Sequence, residues 1–313
     1  RAVATATVPP PPALVAAAPA GRVPAQRPEM GGLSIGRRAL HPAAPLRQYL
    51  TLCLRMFTII FSDRGYALFL LGMPLALALI AWTVPGHNGL APPPPADRFS
   101  LEPQRLLVVL AVGAAFLGIA TAIREIVSES SIYRRERAVG LSTTAYLASK
   151  VTVFAIISSL QVVLFVYLSL VARGKPADAL VIHPPLAEIM VALALVAIVS
   201  STLGLLVSAL VRTNEQTTPV LVVVVMAQLV LSGGLFELHG QAVLEQIAWL
   251  SQTRWGFAAG ASTVDLQALV RQQDPLWTHS AGSWLRAAVV MLVQAVAFGI
   301  AARYALRRHE PGR

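Results

Sequence analysis

The chain has 313 residues, of which 56% are hydrophobic and only 13% are charged, and its formal net charge is +10. Soluble domains usually carry about 25% charged residues, so this composition indicates a membrane protein. The basic residues lie beside apolar runs, where they would meet anionic head groups, and this distribution argues against nucleic acid as a partner. Because Cys53 is the single cysteine, the chain can form no internal disulfide.

The first segment, residues 1–44, is rich in Pro, Ala and Gly, as in the run VPPPPALVAAAPAG. Such a composition is typical of a disordered or partly polyproline linker. Because the sequence begins with Arg1 rather than Met, we expect this linker to follow a further domain, and an ordinary disordered tail is the alternative. At the other terminus, residues 309–313 are predicted to form a short cytoplasmic tail.

An amphipathic helix is predicted at Pro45–Arg64, where apolar residues recur at helical spacing and alternate with Arg47 and Arg55. We expect this helix to lie in the cytoplasmic interface of the membrane. The alternative is that it extends the first membrane span.

Six apolar segments follow, and we interpret each as a transmembrane helix, because about 20 apolar residues cross a bilayer core. They are Tyr66–Val84, Leu106–Val127, Tyr146–Ala172, Leu186–Val211, Val220–Leu231 as the centre of the fifth, and Trp284–Tyr304. The predicted fold is therefore an all-α membrane protein, with a six-span domain over residues 45–308. The more polar segment Ser232–Ser283 forms either two short helices that dip back from the outer face or a cap on the outer surface.

The orientation of the chain in the membrane follows from the distribution of its basic residues. With the amino terminus inside, most Lys and Arg side chains fall on the inner side of the membrane. We therefore predict a multi-pass protein of the plasma (inner) membrane with both termini in the cytoplasm.

A charged segment, Glu125–Lys150, separates the second and third apolar runs and reads EIVSESSIYRRERAVGLSTTAYLASK. Its arginines place it in the cytoplasm. Within it, Ser128–Glu136 is predicted to form a short amphipathic helix, with Gly140 as a stop. Since membrane topology requires positive charge only, the interspersed carboxylates favour docking onto a soluble partner over a loop that merely sets topology.

The sequence contains no recognisable catalytic constellation. Gly174 and Lys175 are followed by Pro176, which cannot open a phosphate-binding helix, and neither HExxH nor GxSxG occurs. The histidines are scattered without the spacing of metal ligands. We therefore predict no catalytic, cofactor-binding or metal site, and a chain that is not an enzyme by itself. The spans also lack a central ionisable residue, which argues against an ion channel or a proton-coupled carrier.

The spans contain isolated amides and hydroxyls instead, among them Gln228. Hydrogen bonding between helices is the simpler interpretation of these groups. The alternative is that Gln228 and its neighbours line a path for an amphipathic or lipid-like substrate.

Three stretches resemble a known family. Glu129–Tyr146 (ExxIYRRERAVGLSxxAY) resembles the first intracellular loop of G-type ABC exporter permeases. Ser208–Phe236 resembles their passage from the fourth to the fifth span, and the Asp63-Arg64 pair resembles the start of their first span. The resemblance covers about residues 45–306. It is strongest with actinobacterial half-transporters, in which forkhead-associated and ATP-binding domains precede the spans.

This resemblance implies a coupling helix that rests on an ABC ATP-binding domain, which would bind the ATP and Mg that this chain does not. The residues implied to couple to that domain are Glu129, Tyr133, Arg134, Arg135, Glu136 and Arg137. The family's central cavity is lined by the second and fifth spans, which would place Met226 and Gln228 near a translocation path. A homodimer of two six-span halves in contact with membrane lipid is also implied.

The predicted function is therefore the transmembrane half of an ATP-driven exporter that moves a lipid, glycolipid or other amphipathic substrate outward. A non-transporting membrane anchor, or a scaffold for a signalling or cell-envelope complex, is the alternative.

Overall fold

The computed structural model describes residues 44–92, 99–236, 238, 240–272 and 274–308. Nearly all of the predicted linker and the whole predicted tail lie outside these ranges. Within them the protein is helical and no strand is present. The α-helices are α1 (Ala44–Ser62), α2 (Arg64–Trp82), α3 (Glu102–Ala122), α4 (Glu125–Ser128), α5 (Ser130–Ala138), α6 (Thr143–Leu170), α7 (Pro185–Leu210), α8 (Thr217–Val230), α9 (Ala242–Ala248), α10 (Gln252–Thr263), α11 (Leu266–Leu269) and α12 (Ala281–Arg308).

Five helical segments in the described residues are long and apolar enough to cross a membrane. They are α2, α3 together with α4, α6, α7 and α12. These segments coincide with the first, second, third, fourth and sixth predicted spans, so the all-α class is confirmed and five of the six predicted spans have the length and composition of membrane-spanning helices. We call the end of the bundle that carries α4, α5 and the last residues of α7 the α5 end.

The fifth predicted span is not confirmed. The apolar run around Val220–Leu231 folds as α8, which has 14 residues. At 1.5 Å per residue such a helix rises about 21 Å, whereas a hydrocarbon core is roughly 30 Å thick. The polar residues after Leu231 form a turn and do not lengthen the helix.

The short helix α10 lies inside the bundle. All of its residues are buried, and it packs against α3, α7 and α12. Gln252 Nε2 donates to Ser200 Oγ in the middle of α7 at 2.8 Å, and Thr263 Oγ1 donates to Glu188 Oε1 near the start of α7. The helix thus runs along the first half of α7, and the segment Ser232–Ser283 is not a surface cap over its whole length.

A hydrogen bond from α6 compensates for Pro74 in α2. Proline has no N–H to donate, so the carbonyl of Leu70, four residues earlier, has no partner within the helix. Gln161 Nε2 of α6 donates to this oxygen at 2.6 Å. One of the intramembrane amides therefore bonds between helices, as the simpler interpretation of the sequence proposed.

The contact between α3 and α7 forms the centre of the bundle. A Cβ atom placed on Gly118 would overlap the carbonyl oxygen of Ala197 and lie 2.8 Å from Ser200 Cβ. Small residues allow membrane helices to approach this closely, and the gain is van der Waals contact along both backbones.

The predicted amphipathic helix before the first span forms as α1 and packs on α2 and α6. Its buried side chains are Cys53, Met56 and Ile60. The apolar side chains on its outer face are at least half exposed, namely Leu46, Leu50, Leu54 and Phe61. The helix is confirmed, and its position in the membrane interface stays a prediction.

Candidate functional site

The charged segment after α3 folds as two short helices, α4 and α5, which meet at Glu129. α5 is shifted by two residues from the predicted helix and ends at Ala138. Gly140 follows with a φ of 105°, a left-handed conformation that glycine adopts without strain. The chain then turns into α6, where Ser142 Oγ accepts from the backbone N–H of Ala145 at 3.5 Å.

Tyr133 anchors α5 to the beginning of α6. Its side chain is buried, and its hydroxyl donates to Thr143 Oγ1 at 3.1 Å. The ring centroids of Tyr133 and Tyr146 are 4.7 Å apart, a contact that typically contributes about 0.5–1.5 kcal/mol. Tyr133 therefore fixes the position of α5 from within the protein.

Lys150 holds a buried positive charge between two carboxylates. Its side chain is 4% exposed, and Nζ lies 2.6 Å from Glu125 Oε1 and 2.7 Å from Glu129 Oε2. The Tyr146 hydroxyl donates to the same Glu129 oxygen at 3.2 Å. A buried ammonium requires such partners because its transfer out of water is costly. The sequence predicted no partner for Lys150, although its place inside an apolar run was a signal for a paired charge.

A second ion pair joins α5 to α1. Arg55 NH1 lies 2.7 Å from Glu136 Oε1, and this carboxylate raises the pKa of the Arg55 guanidinium. The two side chains are 45% and 32% exposed, so solvent screens the pair and it contributes no more than about 1 kcal/mol. Gln48 Oε1 of α1 also accepts from the backbone N–H of Ser142 at 3.3 Å. α1 thus holds both ends of the turn between α5 and α6.

Five of the six predicted coupling residues lie in α5, Glu129 directly precedes it, and the six side chains face different surroundings. Those that face α1 and α6 are Glu129, Tyr133 and Glu136. Arg137 NH1 donates to the Leu141 carbonyl at 2.8 Å and closes the turn toward α6. Arg134 and Arg135 are exposed, and neither has an ion pair among the residues that the structure describes. Four of the six residues therefore position the helix, and two are available to something outside the chain.

A cleft of about 550 Å³ opens between α2, α3 and α8. Its apolar walls include Phe69, Met73, Phe116 and Leu221. Polar side chains gather at its α5 end, namely Tyr66, Thr121, Arg124, Glu125, Ser128, Thr217 and Thr218. The guanidinium of Arg124 donates to Thr218 Oγ1 at 2.8 Å and to Thr217 Oγ1 at 3.3 Å. The cleft therefore has apolar walls and a polar end near α5.

Neither predicted path residue lines this cleft. Met226 is 53% exposed and Gln228 is 5% exposed, so they face different surroundings. Gln228 Oε1 accepts from Ser251 Oγ at 3.1 Å and from the backbone N–H of Thr253 at 3.3 Å. It thus joins α8 to the first turn of α10, as the simpler interpretation of the sequence proposed, and the role of Met226 stays a prediction. The residues that do line the cleft were missed because hydropathy alone does not show which helices are adjacent.

The charged cluster around α5 does not form a metal site. Its carboxylates are bonded to Lys150 and Arg55. Across the described part of the chain, no group of three or more His, Cys, Asp and Glu side chains is placed to hold a metal ion.

A bundle of membrane-length helices, with an amphipathic cleft and a charged helix held by ion pairs to its neighbours, has the architecture of a membrane transport component. The chain belongs to the ABC-2 type transporter family, whose model matches residues 47–264, more than half of its length. It is therefore a permease component of an ABC transporter, as the sequence motifs indicated.

Among known proteins, the chain is similar to the ABC transporter ATP-binding/permease protein Rv1747 of Mycobacterium tuberculosis (strain ATCC 25618 / H37Rv). The two are 42% identical over 243 residues, which make up 76% of this chain and 28% of that protein. The chain thus spans little more than a quarter of the length of this relative. The resemblance to the membrane domains of actinobacterial ABC transporters is confirmed.

Proposed function

We propose that the chain is the transmembrane half of an ATP-driven exporter that moves a lipid, glycolipid or other amphipathic compound outward. The observation that carries this proposal is the cleft between α2, α3 and α8. A molecule with an apolar body and a polar head matches its apolar walls, such as Phe116 and Leu221, and its polar end at Arg124. Ions are poorer candidates, because the walls offer them few ligands. The outward direction is taken from the resemblance to G-type exporters.

The energy for transport would come from an ABC ATP-binding domain that binds ATP and Mg and is not part of this chain. The name of the relative, an ATP-binding/permease protein, supports this arrangement. α5 would rest on that domain through its exposed face, which carries Arg135. Because Glu136 ties α5 to α1 while Tyr133 and Lys150 tie the charged segment to α6, a push on α5 would move these helices as one unit.

The working transporter would be a homodimer in the plasma (inner) membrane. α8 exposes Val222, Val223 and Met226 on one side, and a second copy placed opposite would set two such faces on either side of a shared path. The α5 end would lie in the cytoplasm with both termini, because it carries the exposed arginines Arg134 and Arg135.

The test is substrate-stimulated ATP hydrolysis by the full-length transporter, permease together with ATP-binding domain, in lipid vesicles. Fluorescent phospholipid and glycolipid analogues are expected to raise the hydrolysis rate. Phe116→Trp, which fills the cleft, should lower this stimulation and leave the basal rate unchanged. Leu292→Trp is the matched control, because Leu292 is 51% exposed on α12 and lies outside the cleft.

If substrate stimulates both variants equally, the substrate path does not run through the cleft. No stimulation by any amphipathic compound would favour the anchor or scaffold over the transporter.

A further inference from the structure

A second hollow lies at the α5 end, separate from the cleft. It is a groove of about 420 Å³, bounded by α4 and α5 on one side and by the last residues of α7 and α12 on the other. Ser208 Oγ of α7 accepts from the backbone N–H groups of Ile126 at 3.0 Å and Val127 at 3.1 Å. These bonds fix α4 against α7, so the groove is formed by the fold itself.

Two guanidinium groups line this groove without a neighbouring acid. Arg134 of α5 and Arg212 after α7 are exposed, and none of the residues that line the groove is Asp or Glu. Neither arginine has an ion pair among the described residues. On the other side of α5, by contrast, the carboxylates are bonded to Lys150 or Arg55. The groove is therefore a place at the α5 end where positive charge lacks compensation, and it attracts an anion.

The surface between the two arginines is apolar. It consists of Ile126, Val127, Ala209, Val211 and Leu306. A free anion would leave this surface uncovered. An acidic protein segment would place peptide groups on it without hydrogen-bond partners, which costs free energy. A lipid supplies a phosphate and a hydrocarbon part in one molecule and matches both features.

The position of the groove agrees with this occupant. Three of the segments that are long enough to cross a membrane end around it: Glu102–Ser128, Pro185–Leu210 and Ala281–Arg307. The ends of spanning helices lie at the level of the lipid head groups. Basic pockets between such ends bind phosphorylated head groups.

We propose that this groove binds an anionic phospholipid of the surrounding leaflet. The phosphate lies between Arg134 and Arg212, and the glycerol and first acyl carbons cover the apolar surface beside Leu306. Because one side of the groove is α5 and the other is the end of α7, the bound lipid bridges the two helices. The bound lipid thereby adds a contact that holds α5 beside the end of α7. This site does not depend on the transported substrate or on the cleft.

The test is lipid binding by the purified chain in neutral detergent, measured by native mass spectrometry. The probes are dioctanoyl phosphatidylglycerol and dioctanoyl phosphatidylcholine. The wild type is expected to retain the anionic lipid at least about tenfold more tightly, because both probes carry a phosphate but the choline ammonium of phosphatidylcholine cancels its charge beside the two guanidinium groups. The double variant Arg134→Gln/Arg212→Gln should bind both lipids equally. Both side chains are exposed, so the variant is expected to fold.

The matched control is Arg135→Gln/Arg286→Gln, which removes the same charge from two exposed arginines outside the groove and should keep the preference for the anionic lipid. An unchanged preference in Arg134→Gln/Arg212→Gln would overturn the proposal. Displacement of the lipid by millimolar inorganic phosphate would show that the groove takes the free anion instead. If that double variant binds lipid normally but loses association with the ATP-binding domain, the groove is a protein-docking surface and the lipid site is wrong.

Discussion

Lys150 carries a charge that α6 tolerates because Glu125 and Glu129 lie within 2.7 Å of its ammonium. Lys150→Met would leave two carboxylates close together with no cation between them. Removing one partner of a fully buried ion pair costs about 3–5 kcal/mol. Because the Glu125 and Glu129 side chains are 21% and 31% exposed, we expect a smaller fall in the free energy of unfolding, about 2 kcal/mol. A lower midpoint of thermal unfolding, followed by tryptophan fluorescence in detergent, is the measurement.

Lys150→Arg is the control for this change, because it keeps the positive charge and should retain most of the stability. If Lys150→Met unfolds at the same temperature as the wild type, the ammonium does not hold α4, α5 and α6 together in the way described.

At the scale of elements, α5 is a short helix whose position is set by longer ones. Its ion pair with α1 contributes little stability, since both partners are substantially exposed. The pair therefore matters for where α5 stands rather than for whether the protein folds. A substitution in this pair should therefore change transport without changing the stability of the protein.

Glu136→Arg would place a second guanidinium against Arg55 and push α5 away from α1. We expect transport by the full-length protein to fall about tenfold, the factor that corresponds to a loss of about 1.4 kcal/mol in positioning. The midpoint of unfolding should hardly change. The swapped pair Arg55→Glu/Glu136→Arg restores opposite charges and should recover much of the transport. A swap no better than the single variant would mean that the contact between α1 and α5 has no role in transport.

The sequence predicted the long helices well, because each apolar run long enough to cross a bilayer forms one. It failed at α8 and left the depth of α10 open, because apolar length does not determine depth. α10 contains Arg254 and several hydroxyls and reads as polar, yet it is buried. Glu188, Ser200 and Gln228 from other helices bond its uncharged polar groups, and Asp274 Oδ2 lies 3.6 Å from Arg254 NH2. No local pattern shows such partners.

The charged segment shows the same limit at the candidate site. Its helix and its arginines could be predicted from spacing and from the family resemblance. Its partners could not, because Arg55 and Glu136 are separated by 81 positions and the cleft is formed by three helices that are not all neighbours in the chain. Which residues position the helix and which face outward became clear only in the folded protein.

At the scale of the whole molecule, the cleft and the braced helix share one bundle. α3 lines the cleft and is followed directly by α4 and α5, so movement of α5 reaches the cleft through a short length of chain. We expect a permease of this design to transport only while something outside it moves α5. Arg135 is the residue for testing this, because it is exposed and, unlike Arg137, has no described bond inside the protein that a substitution would break.

Whether transport depends on the outer face of α5 can be measured with Arg135→Glu in the full-length protein. The measurement is the number of substrate molecules transported per ATP hydrolysed in vesicles. Like charges at an interface cost several kcal/mol, so we expect this ratio to fall about tenfold or more, with insertion and unfolding temperature unchanged. Arg286→Glu, the same reversal on an exposed arginine of α12, should leave the ratio intact. A wild-type ratio in Arg135→Glu would contradict the account, because transport would then proceed without the outer face of α5.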